Sequence, residues 1–220
     1  EHEHYHVRRL ASEGTRPRLP WGLGITLDLR APLPLLDRLH RDPTRFVTRS
    51  VANHLNDIAK KDPDLVVETL RRWRDAGQQA QNEMDWITAH ACRGLVKVGH
   101  AGALGLLGYD PEAPVTAQIT LDAASVPIGG ALSFSVDLFG AENQPVLVDY
   151  RLHFQRPGGK LSAKVFKLKQ ARLNNGRLTL VKRHRMKGDA TTFTLVPGAH
   201  RFEVLVNGTV RAEAVFDLTG

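Results

Sequence analysis

Hydrophobic positions in the first half of the chain follow the period of a helix. From about residue 7 to residue 107, apolar side chains recur three or four positions apart, as on one helix face. Proline at the start of several segments and glycine at the end of others mark the boundaries. The predicted helical segments are 8–12 (the end of a first helix), 32–40, 42–60, 62–77, 82–98 and 102–107.

After residue 109 the hydrophobic positions alternate with polar ones, which is the period of a half-buried strand. The predicted strands are 118–121, 132–138, 146–154, 163–168, 177–181, 191–195, 201–206 and 209–217. Asn207-Gly208, between the last two, is the strongest hairpin signal in the chain. Short strands separated by turn residues predict a β-sandwich of immunoglobulin type. We therefore expect a helical domain at 1–111 and a sandwich at 112–220.

The helical half also repeats itself with a period of 40 residues. Segment 6–14 aligns with 46–54, and a second shift of 40 reaches 86–94, with aromatic, aliphatic and small residues mostly in register. A period near 40 with two helices per unit is typical of a HEAT-like solenoid. The register places Glu13, Asn53 and Arg93 in one column, which predicts that they line one face of the solenoid.

Composition and charge narrow the class of partner. The formal charge of +7 and the pI near 9.9 favour a polyanion, nucleic acid before membrane. No apolar run approaches the length of a membrane span, and the first ten residues, EHEHYHVRRL, lack the apolar core of a signal peptide. Cys92 is the single cysteine, so an intrachain disulfide is excluded. We therefore expect a reducing cytoplasm and no membrane partner.

Histidines cluster at the start of the chain, where His2, His4 and His6 alternate with other residues. No cysteine, and no glutamate in HExxH spacing, completes a zinc site with them. A solvated terminus is the simpler interpretation, and we expect neither a metal nor a cofactor.

The stretch 7–21, VRRLASEGTRPRLPW, concentrates unusual chemistry. It combines one carboxylate, Glu13, and one tryptophan, Trp21, with four arginines: Arg8, Arg9, Arg16 and Arg18. Gly14 is expected to end the helix, which places Glu13 at a helix C-terminus, where the helix dipole disfavours an anion. This arrangement favours a functional site. Two structural alternatives stay open: Glu13 could pair with Arg9 four residues earlier, and Trp21 could anchor the loop.

A second basic region lies in the predicted sandwich. Segment 151–187 contains twelve lysines and arginines and no aspartate or glutamate. Lys164, Lys167 and Lys169 lie close together in it, and Lys167 and Lys169 share one face of a predicted strand. A run of one sign in a folded domain is typical of a surface that follows phosphates. The alternative is that these charges serve only solubility.

Three segments together resemble a known family. VRRLASEGTRPRLPW at 7–21, RSVANHLNDIAK at 49–60 and EMDWITAHACRGLVKVGH at 83–100 are similar to the AlkC-type bacterial alkylpurine DNA glycosylases. The resemblance covers residues 5–108. It implies a HEAT-like solenoid, in some members followed by an immunoglobulin-like domain. It also implies hydrolysis of the glycosidic bond of cationic N-alkylated purines, typically 3-methyladenine, in duplex DNA without flipping of the base.

The resemblance also implies roles for single residues. Glu13 would supply negative charge near the developing oxocarbenium ion, and Trp21 would offer its ring to the cationic nucleotide, a contact worth ~0.5–2 kcal/mol. The expected DNA contacts are Arg8, Arg9, Arg16, Arg18 and Arg49 at the flanking phosphates, Asn53 and His54 at the next column, Arg93 at the one after, and Lys164, Lys167 and Lys169 in the sandwich.

The expected partner is therefore double-stranded DNA that contains alkylated bases, in a bacterial cytoplasm at the nucleoid, with no obligate protein partner. The sequence begins inside a repeat and shows no polar capping repeat before it, so we expect this chain to be the C-terminal part of a longer protein. The resemblance also places a further catalytic acid in an earlier repeat. A non-catalytic DNA-binding protein and a protein-interaction scaffold remain as alternatives.

Overall fold

The computed structural model describes residues 2–19, 22–191 and 193–220. The chain separates into two units, Glu1–Gly108 and Tyr109–Gly220. The first unit is helical and the second is built from β-strands. This order confirms the predicted fold class of a helical domain followed by an immunoglobulin-like sandwich.

The helical unit consists of short and medium helices. In the described residues up to 108 they are α1 (Tyr5–Glu13), α2 (Leu33–Leu39), α3 (Arg45–Ile58), α4 (Pro63–Ala76), α5 (Gln81–Ala91), α6 (Arg93–Lys97) and α7 (Ala101–Leu106). The boundary signals act as expected at α4. Asp62 accepts a hydrogen bond from the Leu65 amide at the start, and Gly77 ends the helix in the left-handed conformation with φ of 61°.

The repeat determines how the helices pack. Helix α3 packs against α1 on one side and against α5 on the other. Phe46 and Trp86, one period apart, each carry an arginine of the preceding repeat on the ring face. Arg9 lies 4.2 Å from the Phe46 centroid, and Arg45 lies 4.0 Å from that of Trp86. A cation–π contact therefore links successive repeats at both rings, although the two arginines occupy different positions of the repeat.

A wholly buried apolar face of α3 forms the centre of the helical core. Val47, Val51, Leu55 and Ile58 follow a spacing of four, four and three residues, and none of them is exposed to solvent. Because this helix lies between α1 and α5, its buried face fixes the position of both neighbours. Polar residues on the α1 side of α3 therefore meet the end of α1.

The predicted helix at 82–98 is wrong in one respect, because it is divided at Cys92 into α5 and α6. The Asn56 side-chain amide donates a 2.9 Å hydrogen bond to the Ala91 carbonyl. A side chain that takes a helix carbonyl in this way bends the helix. Asn56 is 35 residues away in sequence, so the pattern of 82–98 contains no sign of the break.

The second unit is a sandwich of two sheets. Its strands are β1 (Thr116–Leu121), β2 (Ser125–Pro127), β3 (Ala131–Phe139), β4 (Pro145–Gln155), β5 (Leu161–Arg172), β6 (Arg177–Arg185), β7 (Gly198–Val206) and β8 (Thr209–Thr219). One sheet has the order β1-β3-β6 and the other β2-β8-β7-β4-β5. Strand β2 runs parallel to β8, and the other pairings are antiparallel. Phe134, Tyr150 and Phe202 pack their rings against one another between the sheets.

The turn between β7 and β8 confirms the predicted hairpin, because Asn207 and Gly208 both have positive φ, 51° and 82°. Two details differ from the prediction. The three-residue strand β2 is too short to show alternation and was missed. The predicted strand at 191–195 is absent from its described residues, and Thr192 lies outside them.

Candidate functional site

Glu13 is the last residue of α1 and is buried in spite of its place at a helix end. Gly14 caps the helix, and the Glu13 residue is 8% exposed. Its carboxylate is held from two sides: Arg9 Nη2 donates to Oε1 at 2.8 Å, and Arg16 Nη1 donates to Oε2 at 2.9 Å. The pair with Arg9 that we considered as a structural alternative therefore exists, and it belongs to a larger cluster.

The larger cluster is completed by Asp57 of α3. The Arg16 atoms Nε and Nη2 donate to Asp57 Oδ2 at 3.1 and 2.7 Å, and Lys60 Nζ donates to Oδ1 at 2.8 Å. Burial alone would lower the pKa of Arg16, but its hydrogen bonds to Asp57 and Glu13 outweigh burial and raise that pKa. Arg16 therefore stays charged and bridges two buried carboxylates.

Two conclusions about the predicted residues follow. Arg16 is 8% exposed and all of its guanidinium nitrogens donate to carboxylates in this structure, so none of them is free for a phosphate, and its DNA contact stays a prediction. Sequence reasoning missed Asp57. The available signal was an acidic residue directly before Ile58, on the otherwise apolar side of a helix that the repeat places beside α1.

His54 lies next to this cluster, wholly buried at 0% exposure. The Ser12 backbone is near its ring without the geometry of a full hydrogen bond, so both ring nitrogens lack a partner among the described residues. Burial, assisted by the charge of Arg16, lowers its pKa to about 4. Helix α3 directs this side chain into the core, where it is not accessible to a DNA backbone, and the contact of His54 with DNA stays a prediction.

Asn53 and Arg93, two members of the predicted column, do contact each other. Asn53 Oδ1 accepts from Arg93 Nη2 at 3.1 Å and lies 2.9 Å from His90 Nε2. Burial lowers the pKa of Arg93, with an opposing effect of Asp57. Part of the Arg93 residue is nevertheless exposed to solvent. Its charge also lies within electrostatic reach of Asp57 in the carboxylate cluster.

The remaining predicted arginines divide into paired and unpaired side chains. Arg8 is paired, since its Nε and Nη2 donate to Asp42 at 2.5 and 3.2 Å. Arg9 is half-buried between Glu13 and the Phe46 ring. Arg18 and Arg49 are exposed and make no hydrogen bond or ion pair to the rest of the described chain. Among the arginines predicted to hold phosphates, these two have side chains without a partner in the described residues.

A cavity of about 560 Å³ lies between the loop after α1 and the end of α3. Its walls are formed by Pro17, Arg18, Leu19, Gly22 and Gly24 from the loop and by Asp57, Lys60 and Lys61 from the α3 side. Trp21 lies outside the described residues, although residues on either side of it line the cavity. One wall of the cavity therefore contains a carboxylate of the cluster, and cations surround it.

Lys164, Lys167 and Lys169 are all exposed on β5, the last strand of the five-stranded sheet. Lys164 Nζ lies 5.2 Å from the Phe166 ring centroid. Lysines on an edge strand also oppose pairing with another sheet, which is a structural explanation for them. Their position is compatible with both interpretations.

The described residues contain no helix that is long and apolar enough to cross a membrane. Within the same residues, no group of three or more histidines, cysteines, aspartates and glutamates is arranged to hold a metal ion.

Residues 115–220 match the family model described as "Uncharacterised protein YhaZ, C-terminal Ig-like domain". The C-terminal unit is therefore similar to the Ig-like domain that this model describes. The chain is also 36% identical, over 222 residues, to "Uncharacterized protein YhaZ" of Bacillus subtilis (strain 168), a match that covers 99% of this chain and 61% of the relative. The similarity to the YhaZ protein therefore extends beyond residues 115–220 to the helical unit.

One solved structure is similar over the whole chain. It is "Pseudomonas fluorescens alkylpurine DNA glycosylase AlkC bound to DNA containing an abasic site analog", with a TM-score of 0.90 and 35% sequence identity. The match covers 100% of this chain and 62% of that one. The chain thus spans about three fifths of the length of both the YhaZ protein and the glycosylase.

Proposed function

We propose that this protein is a DNA glycosylase that removes cationic N-alkylated purines, of the 3-methyladenine type, from duplex DNA without flipping the base. The observation that carries the proposal is the similarity of the whole chain to a DNA-bound alkylpurine DNA glycosylase. The buried pair of carboxylates, Glu13 and Asp57, beside a cavity rimmed by cations supports it.

The proposed reaction needs little from the protein except charge and position. The bond between C1′ of the sugar and N9 of the purine breaks, and its electron pair neutralises the cationic base, which leaves. The sugar becomes an oxocarbenium ion, water adds to C1′, and the water proton passes to a carboxylate or to solvent. A carboxylate near C1′ stabilises the developing cation. We assign this role to Glu13, with Asp57 as the second negative charge.

In this proposal, the arginines paired with Glu13 determine how much of its negative charge is left uncompensated. In the structure, Arg9 and Arg16 neutralise the carboxylate, which weakens its effect on a developing cation. Arg9 is the more accessible of the two, with a side chain 22% exposed against 10% for Arg16. A DNA phosphate that binds Arg9 would remove one of the two partners of Glu13. More of the negative charge of Glu13 is then uncompensated when the lesion is in place.

The other proposed DNA contacts follow from exposure. Arg18, Arg49 and Arg93 are the cations best placed to hold the flanking phosphates, with Lys164, Lys167 and Lys169 as a second basic surface in the Ig-like domain. Trp21 keeps the role that the resemblance implies, a ring placed against the cationic nucleotide. Arg8 and Asn53 contribute only through their paired partners, Asp42 and Arg93.

A non-catalytic DNA-binding protein is the second candidate, and the double arginine contact of Glu13 favours it, since a fully paired carboxylate also suits a purely structural role. The test is the release of 3-methyladenine from methylated duplex DNA by the natural full-length protein. Release of the free base with formation of abasic sites supports the glycosylase. Tight duplex binding with no release above the uncatalysed rate would leave the second candidate.

A further inference from the structure

The Ig-like domain contains a cavity of about 410 Å³ beside β5 and β6. Phe154 of β4, Phe166 of β5 and Phe193, which precedes β7, form its apolar wall. His184 of β6 completes the wall, with its ring edge-on to Phe166 at 4.7 Å. The volume lies within the range of roughly 300–1,000 Å³ that is typical of small-molecule sites.

Four cationic side chains line the same cavity: Arg156, Lys164, Arg185 and Lys187. In the described parts of the chain none of them forms an ion pair with a carboxylate. The contrast with the helical unit is clear, because Arg16 there is paired with two carboxylates. A cavity with four uncompensated positive charges attracts an anion.

Arg156 is held in place by the protein while part of it stays available. Its Nε donates to Ser162 Oγ at 2.7 Å and its Nη1 donates to the Thr194 carbonyl at 3.2 Å. The guanidinium carbon lies 5.1 and 5.2 Å from the ring centroids of Phe154 and Phe193. Nη2 has no partner within the described residues, so a preorganised donor remains for a ligand oxygen.

His184 adds a neutral hydrogen-bonding group. Its Nδ1 lies 2.9 Å from the Tyr150 hydroxyl. Burial raises the pKa of Tyr150. Burial and the positive charges of Lys182 and Lys164 lower the pKa of His184 to about 4. The ring is therefore uncharged, and in the tautomer in which Tyr150 donates to Nδ1, Nε2 carries the proton as a donor. A neutral donor beside cations suits the carbonyl and ring nitrogens of a nucleobase.

We propose that this cavity binds a single unpaired nucleotide, with the base against the phenylalanine rings and the phosphate on the cations. Bases stack on aromatic side chains in sites for single-stranded nucleic acid, and cations hold the backbone there. A base pair within a continuous duplex has both ring faces covered by its neighbours, so it cannot enter such a wall. The ligand is therefore a free nucleotide or a nucleotide exposed in a strand.

The proposal needs no base excision and stands apart from the glycosylase function. Binding of a labelled single-stranded hexathymidylate to the full protein is measured by fluorescence anisotropy. Unlabelled AMP and ribose 5-phosphate serve as competitors. Phe193→Leu keeps an apolar side chain but removes the ring, and Lys164→Gln with Lys187→Gln removes two charges. Lys160→Gln is the matched control, since Lys160 is exposed and does not line the cavity. Thermal melting of each variant verifies that it is folded.

We expect Phe193→Leu to weaken binding of the single strand by about fivefold or more, the lower limit for loss of one stacked base. Competition by AMP should weaken similarly, while competition by ribose 5-phosphate, which has no base, stays unchanged. The double lysine variant should reduce the slope of log K against log salt by about 1.4. Strong competition by AMP would identify a free nucleotide as sufficient, and weak competition with the same Phe193 dependence would identify a strand.

Two results would overturn the proposal. One is single-strand affinity that is unchanged in both cavity variants although they are folded. The other is an equal loss of affinity for a blunt duplex in Phe193→Leu, which would mean that the ring does not select an unpaired base. A missing glycosylase activity would affect neither result.

Discussion

The two units of this protein treat positive charge in opposite ways. In the helical unit, Arg16 and Arg9 are bonded to Glu13, and Arg16 also holds Asp57. In the Ig-like domain, the four cations of the nucleotide cavity have no carboxylate partner within the described chain. Paired charges fix the position of a catalytic group, whereas unpaired charges attract a ligand. The comparison therefore assigns chemistry to the helical unit and additional binding to the Ig-like domain.

Removal of Arg16 should have the largest effect on stability. Arg16→Met leaves Glu13 and Asp57 buried with only their outer partners, and loss of one partner of a buried ion pair costs about 3–5 kcal/mol. Urea unfolding followed by tryptophan fluorescence measures it, because Trp21, Trp73 and Trp86 all belong to the helical unit.

The matched control is Arg18→Met, an exposed arginine without an ion pair, which should change stability by less than about 0.5 kcal/mol. A loss below about 1 kcal/mol in Arg16→Met would mean that the buried cluster is not the fixed element that we describe.

Acid should destabilise the helical unit through His54. Its pKa is lowered to about 4 in the folded state, against about 6.5 when unfolded, so the unfolded chain takes up the proton first. Stability is therefore lost as the pH falls from about 6.5 towards 4, by on the order of 3 kcal/mol. His54→Leu should remove this part of the pH dependence in the same fluorescence assay.

His184 provides the comparison for that experiment, because it has the same lowered pKa of about 4 but lies in the Ig-like domain. His184→Phe should leave the pH dependence of the tryptophan signal unaltered. A flat pH profile in the wild type, or an unchanged one in His54→Leu, would contradict the assignment.

The smallest expected effect concerns salt. Neutralisation of Lys164, Lys167 and Lys169 should reduce the slope of log K against log salt for duplex DNA by up to about 2.7, or 0.9 for each phosphate contact. Arg177→Gln is the control, because this arginine of the same domain is already paired with Asp137. An unchanged slope in the triple variant would remove β5 from the duplex interface.

Local patterns were sufficient for the elements but not for contacts between distant residues. Helix spacing, Gly77 and Asn207-Gly208 predicted boundaries that the structure confirms. The Arg16–Asp57 contact joins residues 41 positions apart. The break of the helix at Cys92 depends on Asn56, which lies far outside the local sequence around Cys92.

The repeat was the one long-range signal, and it was accurate only to about one residue. It placed Asn53 beside Arg93, which the structure shows in contact. It also suggested a DNA contact for the next residue, His54, but one further residue along a helix rotates the side chain by about 100°, and His54 lies in the core. Whether a given side chain is exposed or buried could therefore be decided only from the three-dimensional packing of the helices.

The measurement that tests the central claim most directly is the rate of 3-methyladenine release from methylated duplex DNA by the full-length protein, wild type against Glu13→Gln. Glu3→Gln, at an exposed position, is the control for the loss of one carboxylate. We predict that Glu13→Gln lowers the rate by about 100-fold or more and changes duplex affinity by less than about twofold. Equal release by Glu13→Gln and wild type would contradict the account.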